Sequence, residues 1–514
     1  MRRSADQLRP DNITASCPSR LPFRIDLAFV GVLLVPLLAI YPLLPAGIPS
    51  TADGPLHLIR SVEFDAVLRA GVLYPRWAPD LAYGYGYPLF NYYAPLFYYA
   101  TEIPHALGAS FELALKLTIF AAFYLYAIGV YWWVRPLVGR PGAAVAAIAY
   151  VYFPFRFHET YQQGDYPQFL ALALAPLALG AAYRLFTTER LSLGWATGLA
   201  LALAALLLTH NISALLLAPT LAAYVVALAL ASPSRRHAAI RLAAAAGSAA
   251  LGLGLSAFFW LPALAEQTVV QLYRLRTDDY DIRHSFITIG QLLAPPRVID
   301  QTAANPPLIL SLGWGHLALA LATLPLLAIA WWAARRHLPR TLVAHLGFGW
   351  AVLLGSALLT LPISEPIWRR VPLLDYTEYA WRVLELSAVA LALLAGLAVH
   401  ALVTIVQQWC RGPGEGRRAA LVAGIAVVLL VVPSLVYLYP HTPFLVYGDL
   451  GPADVTGFER ASGAIGTTST GEDYPLDVTE RPQAPLPADL PSIGRLDRTT
   501  LPPGSNVTFL GQQG

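Results

Sequence analysis

Apolar residues run through this chain in long blocks rather than at alternating or scattered positions. Between Ile25 and Tyr439 the blocks fall near residues 25–46, 111–134, 141–157, 167–186, 193–209, 212–231, 240–262, 307–333, 341–361, 380–405 and 419–439. A helix needs roughly 20 apolar residues to cross a bilayer core. The pattern therefore predicts an all-α polytopic membrane protein with about eleven crossings. Arg clusters mark every second connection: the N-terminus (Arg2, Arg3, Arg9, Arg20, Arg24), "RPLVGRP" at 135, "TTERLS" at 187, "SPSRRHAAIR" at 232, "ARRHLPR" at 334 and "RGPGEGRR" at 411. Cationic loops are retained in the cytoplasm, so these connections are expected inside, with residues 1–24 cytoplasmic and the C-terminus outside.

One apolar stretch does not fit as a crossing. Counting "YPLFNYYAPLFYYATEIPHALG" (87–108) as a span would invert every later loop and destroy the Arg alternation. Its tyrosines and prolines suit an interfacial or re-entrant element, because aromatic rings sit well at headgroup level. Residues 47–110 thus read as one long outer loop. Its first part spaces Leu56, Ile59, Val62, Phe64, Val67 and Leu68 as one face of a helix lying along the membrane surface.

Composition agrees with this layout. The 514 residues are 56% hydrophobic and only 13% charged, against roughly 25% charged in soluble domains. The net charge of +3 is carried almost wholly by Arg, and Lys116 is the only lysine. No basic stripe with interleaved aromatics occurs in a soluble segment, which sets nucleic acid aside. Cys17 and Cys410 both fall on the expected cytoplasmic side and form no metal-ligand spacing, so no disulfide is expected. The first block is longer than a signal-peptide core and reads as an uncleaved anchor. Three regions follow: 1–24, the multi-span part 25–440, and a Pro-rich tail 441–514 with short β-like stretches.

Sorting ionisable residues by side gathers nearly all the candidate chemistry outside. The first outer loop holds Asp53, His57, Glu63 and Asp65; the second holds Arg156, His158, Glu159 and Asp165; the tight turn "LTHNIS" holds His210 and Asn211. Glu266, Asp278, Asp279, Asp281, Arg283 and His284 follow, then Glu365, Arg369, Arg370, Asp375, Glu378 and Arg382. Longer outer loops and positive-inside retention by themselves leave acids outside, and most of these suit solvated loop residues or local ion pairs. His210 and Asn211 stand out because almost no loop separates two spans there, and ionisable groups at that depth usually face a polar cavity; a plain helix cap is the alternative. Asp165 precedes a span, where a carboxylate suits the helix dipole. Asp53 leaves the first span directly before the surface helix and would equally serve as its N-cap.

The layout from Ile25 to Asp165 resembles the GT-C superfamily of integral-membrane glycosyltransferases. The first span leads into a long outer loop with an early Asp ("TADGPLHLIR"), and a second acidic site follows in "YQQGDYPQFLAL". The strings "RFHETYQQGDYPQFLALAL", "LLLTHNISALLL" and "ASGAIGTTSTGEDYP" are similar to bacterial membrane proteins labelled 6-pyruvoyl-tetrahydropterin synthase-related. Nothing in the chain suits pterin chemistry. The resemblance implies transfer of a sugar from a polyprenyl-phosphate carrier to an acceptor at the outer face of a bacterial plasma membrane. It implies Asp53 as general base, with Asp165 and Glu159 positioning the acceptor or a divalent ion, helped by His57, His210 and Asn211. Arg382, or else Arg369 and Arg370, would take the phosphate. The Asp-x-Asp pair that several GT-C branches use for metal is missing, which leaves the metal open. A flippase for a lipid-linked polymer and a scaffold that has lost activity are the rival readings. Transporters usually show internal repeats and mid-membrane charges, and neither is visible here.

Overall fold

The computed structural model describes residues 26–276, 281–303, 305–333, 339–371, 374–409, 414–438, 443–468 and 470–485. The N-terminal arginines, Cys17, Asp278, Asp279, Cys410 and the end of the tail lie outside the described residues. Among the described residues eight helices are long and apolar enough to cross a bilayer: Phe111–Val151, Tyr166–Thr187, Asn211–Leu230, Arg235–Leu255, Trp314–Trp332, Arg340–Leu359, Ala380–Trp409 and Glu415–Leu438. Leu27–Leu43 and Leu193–Thr209 are shorter apolar helices.

Phe111–Val151 is a hairpin. Its 41 residues would extend about 60 Å if straight, twice the bilayer core. Instead Gly139 takes φ 70° and ψ −179° inside "RPLVGRP". The rings of Tyr126 and Tyr150 then meet at 5.3 Å, where a continuous helix would hold them about 36 Å apart. The two arms supply two of the expected crossings, and with them the described residues hold eleven apolar helical segments of an all-α polytopic membrane protein.

Several boundaries differ from the hydropathy reading, always where a local breaker interrupts an apolar run. The block at 141–157 ends its helix at Val151, because Pro154 opens a separate short helix, Pro154–His158, that passes into a π-helical turn at Glu159–Gln163. The block at 240–262 is two helices, Arg235–Leu255 and Ala257–Glu266, broken where the Ser256 hydroxyl donates to the carbonyl of Gly252 at 2.9 Å. The block at 307–333 becomes helical only at Trp314.

Helix Ala380–Trp409 packs closely against the second hairpin arm. A Cβ on Gly142 would lie 2.8 Å from the Gly396 carbonyl, and one on Gly396 would lie 3.0 Å from that of Gly142. Close backbone approach through small residues is how helices pack in lipid. Gly142→Val is expected to lower stability by about 1–3 kcal/mol through overpacking, read as an earlier thermal transition of the detergent-solubilised protein.

The stretch at 87–108 forms two helices, Leu89–Tyr92 and Leu96–Ala106, both too short to span. The expected surface helix, Gly54–Arg69, is present but is not amphipathic in the way its spacing suggests. His57, Arg60, Ser61, Glu63 and Asp65 are buried along with Leu58, Ile59, Val62 and Phe64. Its polar side chains are covered from several directions: Arg60 by Thr467 of the C-terminal tail, His57 by Tyr93, Phe97 and Tyr98, and Asp65 by Arg69 and His105. Strand Phe444–Leu445 pairs antiparallel with Ile48–Pro49, and helix Pro452–Ser462 follows. The Glu459 carboxylate then accepts from the N–H groups of Ala82, Tyr83 and Gly466 at 2.8, 2.6 and 2.6 Å.

Candidate functional site

A cavity of about 500 Å³ opens at one end of the bundle, where the surface helix, the tail and several span ends meet. Its polar side carries Asp53, His57, Arg60, Asp165, His210, Asn211, Glu378 and Arg382. Its apolar side is built from Leu207, Ile212, Leu215, Phe259, Trp260 and their neighbours. Leu253 and Leu264 line it too and are about half exposed, at 50% and 53%, so the apolar wall reaches the outer surface of the bundle.

Asp53 occupies the N-cap position of the surface helix yet makes no capping bond with its side chain. Thr51 does that work, its hydroxyl accepting from the Gly54 N–H at 3.1 Å. The Asp53 carboxylate instead accepts from the Gln163 amide at 2.6 Å, while its own N–H donates to the Gln163 carbonyl at 2.7 Å. This docking needs Gly164, whose φ is +75° and whose added Cβ would fall 2.1 Å from the Thr51 hydroxyl. Burial, reinforced by the negative charge of Asp165, raises the Asp53 carboxyl to about 6.

Asp165 does two things at once. One oxygen caps helix Tyr166–Thr187 by accepting from the Gln168 N–H at 3.1 Å. The other faces Arg382 Nη2 at 3.3 Å and His210 Nε2 at 3.6 Å. Burial alone would raise this carboxyl, but His210 and Arg382 hold it below its ordinary value. Burial drives His210 itself down to about 4, so Arg382 is the partner still charged at neutral pH. His210 also caps helix Asn211–Leu230, its Nδ1 accepting from the Ser213 N–H at 3.2 Å. Asp165 and His210 thus each cap a helix and also line the cavity. His57 contacts the Tyr98 hydroxyl at 2.9 Å among the rings of Tyr93, Phe97 and Tyr166, and burial keeps it neutral.

Arg382 reaches Glu378 with Nη1 at 3.0 Å and the Thr377 carbonyl at 3.2 Å. Glu378 holds this position at φ 62°, a conformation costly for a residue with a Cβ. Glu159 does not line the cavity. It lies fully buried behind Asp165, near Arg156 and Glu385, and neither of its carboxylate oxygens accepts a hydrogen bond among the described residues. Arg156 is sandwiched between the rings of Tyr126 and Tyr150 at 4.5 Å each. Arg369 and Arg370, expected as alternative phosphate ligands, point away from the cavity. Both are exposed, and Arg369 pairs with Glu365 one helical turn back. Asp65 and Asp281 are likewise in local pairs, with Arg69 and Arg283, and Glu266 pairs with the distant Arg76.

Sequence reading missed Arg60, Tyr92, Tyr93 and Trp260, and it passed over Glu378 as a loop acid. It also missed Thr467, Thr468, Glu472 and Asp473 of the tail, which complete the cavity wall. The only signal for the last four was their place in "ASGAIGTTSTGEDYP", a string that carries a family likeness but no recognisable chemistry. Among the described residues no three His, Cys, Asp or Glu side chains are grouped as metal ligands, and Asp165 is engaged by Arg382 and a helix N–H.

The chain is similar in fold to the arabinofuranosyltransferase AftD from Mycobacteria, with a TM-score of 0.51 at 18% sequence identity over 89% of this chain. It spans only 31% of that protein's length. A weaker likeness is to ArnT from Cupriavidus metallidurans bound to undecaprenyl phosphate, with a TM-score of 0.43 at 14% identity over 85% of this chain and 78% of that one. Residues 90–440 match the family described as 6-pyruvoyl-tetrahydropterin synthase related domain, membrane protein, and the chain belongs to that family. No curated protein sequence matches it.

Proposed function

We propose that the protein is a glycosyltransferase of the bacterial plasma membrane, moving a sugar from a polyprenyl-phosphate carrier to an acceptor at the outer face. The observation that carries this reading is the convergence of Asp53, Asp165, His210 and Arg382 on one cavity whose other wall is apolar and continuous with the lipid-facing surface. A prenyl chain can lie against that wall while its headgroup meets the charged side. The Arg-rich loops, all expected at the far end of the bundle, support an outward-facing cavity with the N-terminus inside.

Asp53 is the general base in this scheme. It has a single side-chain hydrogen-bond donor in Gln163, and it faces the cavity. Asp165 remains an anion held by Arg382 and cannot usefully accept a proton. The acceptor hydroxyl loses its proton to Asp53 as its oxygen bonds to the anomeric carbon. The bond from that carbon to phosphate breaks, and polyprenyl phosphate leaves with the electron pair. The transition state has oxocarbenium character. Arg382 is the cation on the cavity wall that takes the leaving phosphate, a role suited to guanidinium geometry, while Arg60 on the same wall is engaged by Thr467. Purified protein given a polyprenyl-phosphate hexose is expected to release polyprenyl phosphate. A flippase would return the lipid-linked sugar intact.

A further inference from the structure

Residues 466–468 and 470–474 are held in place by hydrogen bonds from several sides. Arg60 donates to the Thr467 hydroxyl at 3.0 Å and also to its carbonyl. Glu459 fixes the Gly466 N–H, and the Tyr87 hydroxyl accepts from the Asp473 N–H at 3.0 Å. From the other side Gln271 donates its N–H to the Tyr474 carbonyl at 2.9 Å and its side-chain amide to those of Pro475 and Val478 at 2.9 and 2.8 Å. Together these contacts hold Thr467 at φ 55°, a strained value for a β-branched residue. Strain of this kind persists where the surroundings over-determine it, commonly at functional sites. Its product here is the placement of Thr468, Glu472 and Asp473 on the wall of the cavity that also holds Asp53 and Asp165.

We propose that Thr468, Glu472 and Asp473, with Tyr92 and Trp260 on the same cavity, form a subsite for a neutral carbohydrate acceptor. The inference rests on the glycosyl-transfer reading and deepens it. Carboxylates accept hydrogen bonds from paired hydroxyls, and aromatic faces pack against the C–H face of a sugar ring. The charge of the cavity selects against acids: besides Asp473, its lining carries the carboxylates of Asp53, Asp165, Glu378 and Glu472 against two guanidiniums, Arg60 and Arg382. Burial, and then the negative charge of Glu472, push the Asp473 carboxyl well above its ordinary value. The pair therefore offers a hydroxyl both a donor and acceptors, and a further anion would be repelled. The phosphate of the donor is met on the Arg382 side, so the two substrates are sorted by charge.

The test is direct binding to the full chain in detergent, followed by saturation-transfer NMR. The probes are the methyl glycosides of glucose, mannose, galactose and arabinose, with methyl glucuronide as the anionic match of the glucoside. At least one neutral glycoside is expected to bind, and the glucuronide about tenfold or more weaker than the glucoside or not at all. Glu472→Gln combined with Asp473→Asn is expected to weaken neutral binding about tenfold. Thr468→Val provides a second variant should the double one unfold. Absence of binding by every neutral glycoside, equal binding of glucuronide and glucoside, or unchanged binding in the variants would overturn the proposal. Binding needs no turnover, so such a failure leaves sugar transfer standing. If polyprenyl-phosphate hexose is not consumed while glycosides bind as expected, the transfer reading fails instead.

Discussion

Replacing Asp53 with Asn is expected to reduce sugar transfer by about 10²–10⁴-fold, the usual contribution of general-base catalysis, with no loss of protein from the membrane. The amide keeps the shape of the carboxylate and its contact with Gln163, but it cannot take a proton. Its place before the surface helix does not depend on the carboxylate, because Thr51 supplies the capping bond. The same carboxyl predicts a pH limb. A base works only when ionised, so with Asp53 raised to about 6 the rate should climb through that pH and fall away below it. Rates between pH 5 and 8 at saturating donor would show this. A profile flat down to pH 5, or full activity in Asp53→Asn, removes Asp53 from the chemistry.

The second large effect belongs to Arg382. Its guanidinium is buried and faces Asp165 at 3.3 Å and Glu378 at 3.0 Å. Arg382→Met leaves both carboxylates without their nearest cation. Breaking a buried pair from one side costs about 3–5 kcal/mol, so a marked fall in the thermal midpoint is expected along with loss of transfer. Adding Asp165→Asn to Arg382→Met removes the stranded charge, and part of the stability should return while activity does not. If the double variant is no more stable than the single one, Asp165 is not the group that Arg382 compensates.

How much of this was written in the chain can be judged residue by residue. The apolar blocks and the alternation of Arg-rich loops were legible because bilayer thickness and charge retention act on local sequence. The hairpin reversal at Gly139 falls inside "RPLVGRP", read beforehand as a connection. The end of the second arm at Val151 was not legible, since Phe153, Phe155 and Phe157 continue the apolar run past the helix break. Asp53, Asp165 and His210 were singled out because each lies at the edge of a span, and all three line the cavity. Arg60 and Glu378 escaped because their meaning comes from partners rather than spacing. The contact between Arg60 and Thr467 crosses most of the chain, and no local pattern announces it. For the same reason the helix Gly54–Arg69 looked half-solvated when the tail in fact covers Arg60 and the helix Leu96–Ala106 covers His57.

The most direct measurement is a cryo-EM map of Asp53→Asn protein loaded with a polyprenyl-phosphate hexose. The account predicts the sugar between Asp53 and Arg382, the phosphate on the guanidinium side, and the prenyl chain leaving past Leu253 and Leu264. A headgroup bound elsewhere, for instance in the apolar groove between helices Asn211–Leu230 and Arg340–Leu359, with the Asp53 cavity empty, would contradict it.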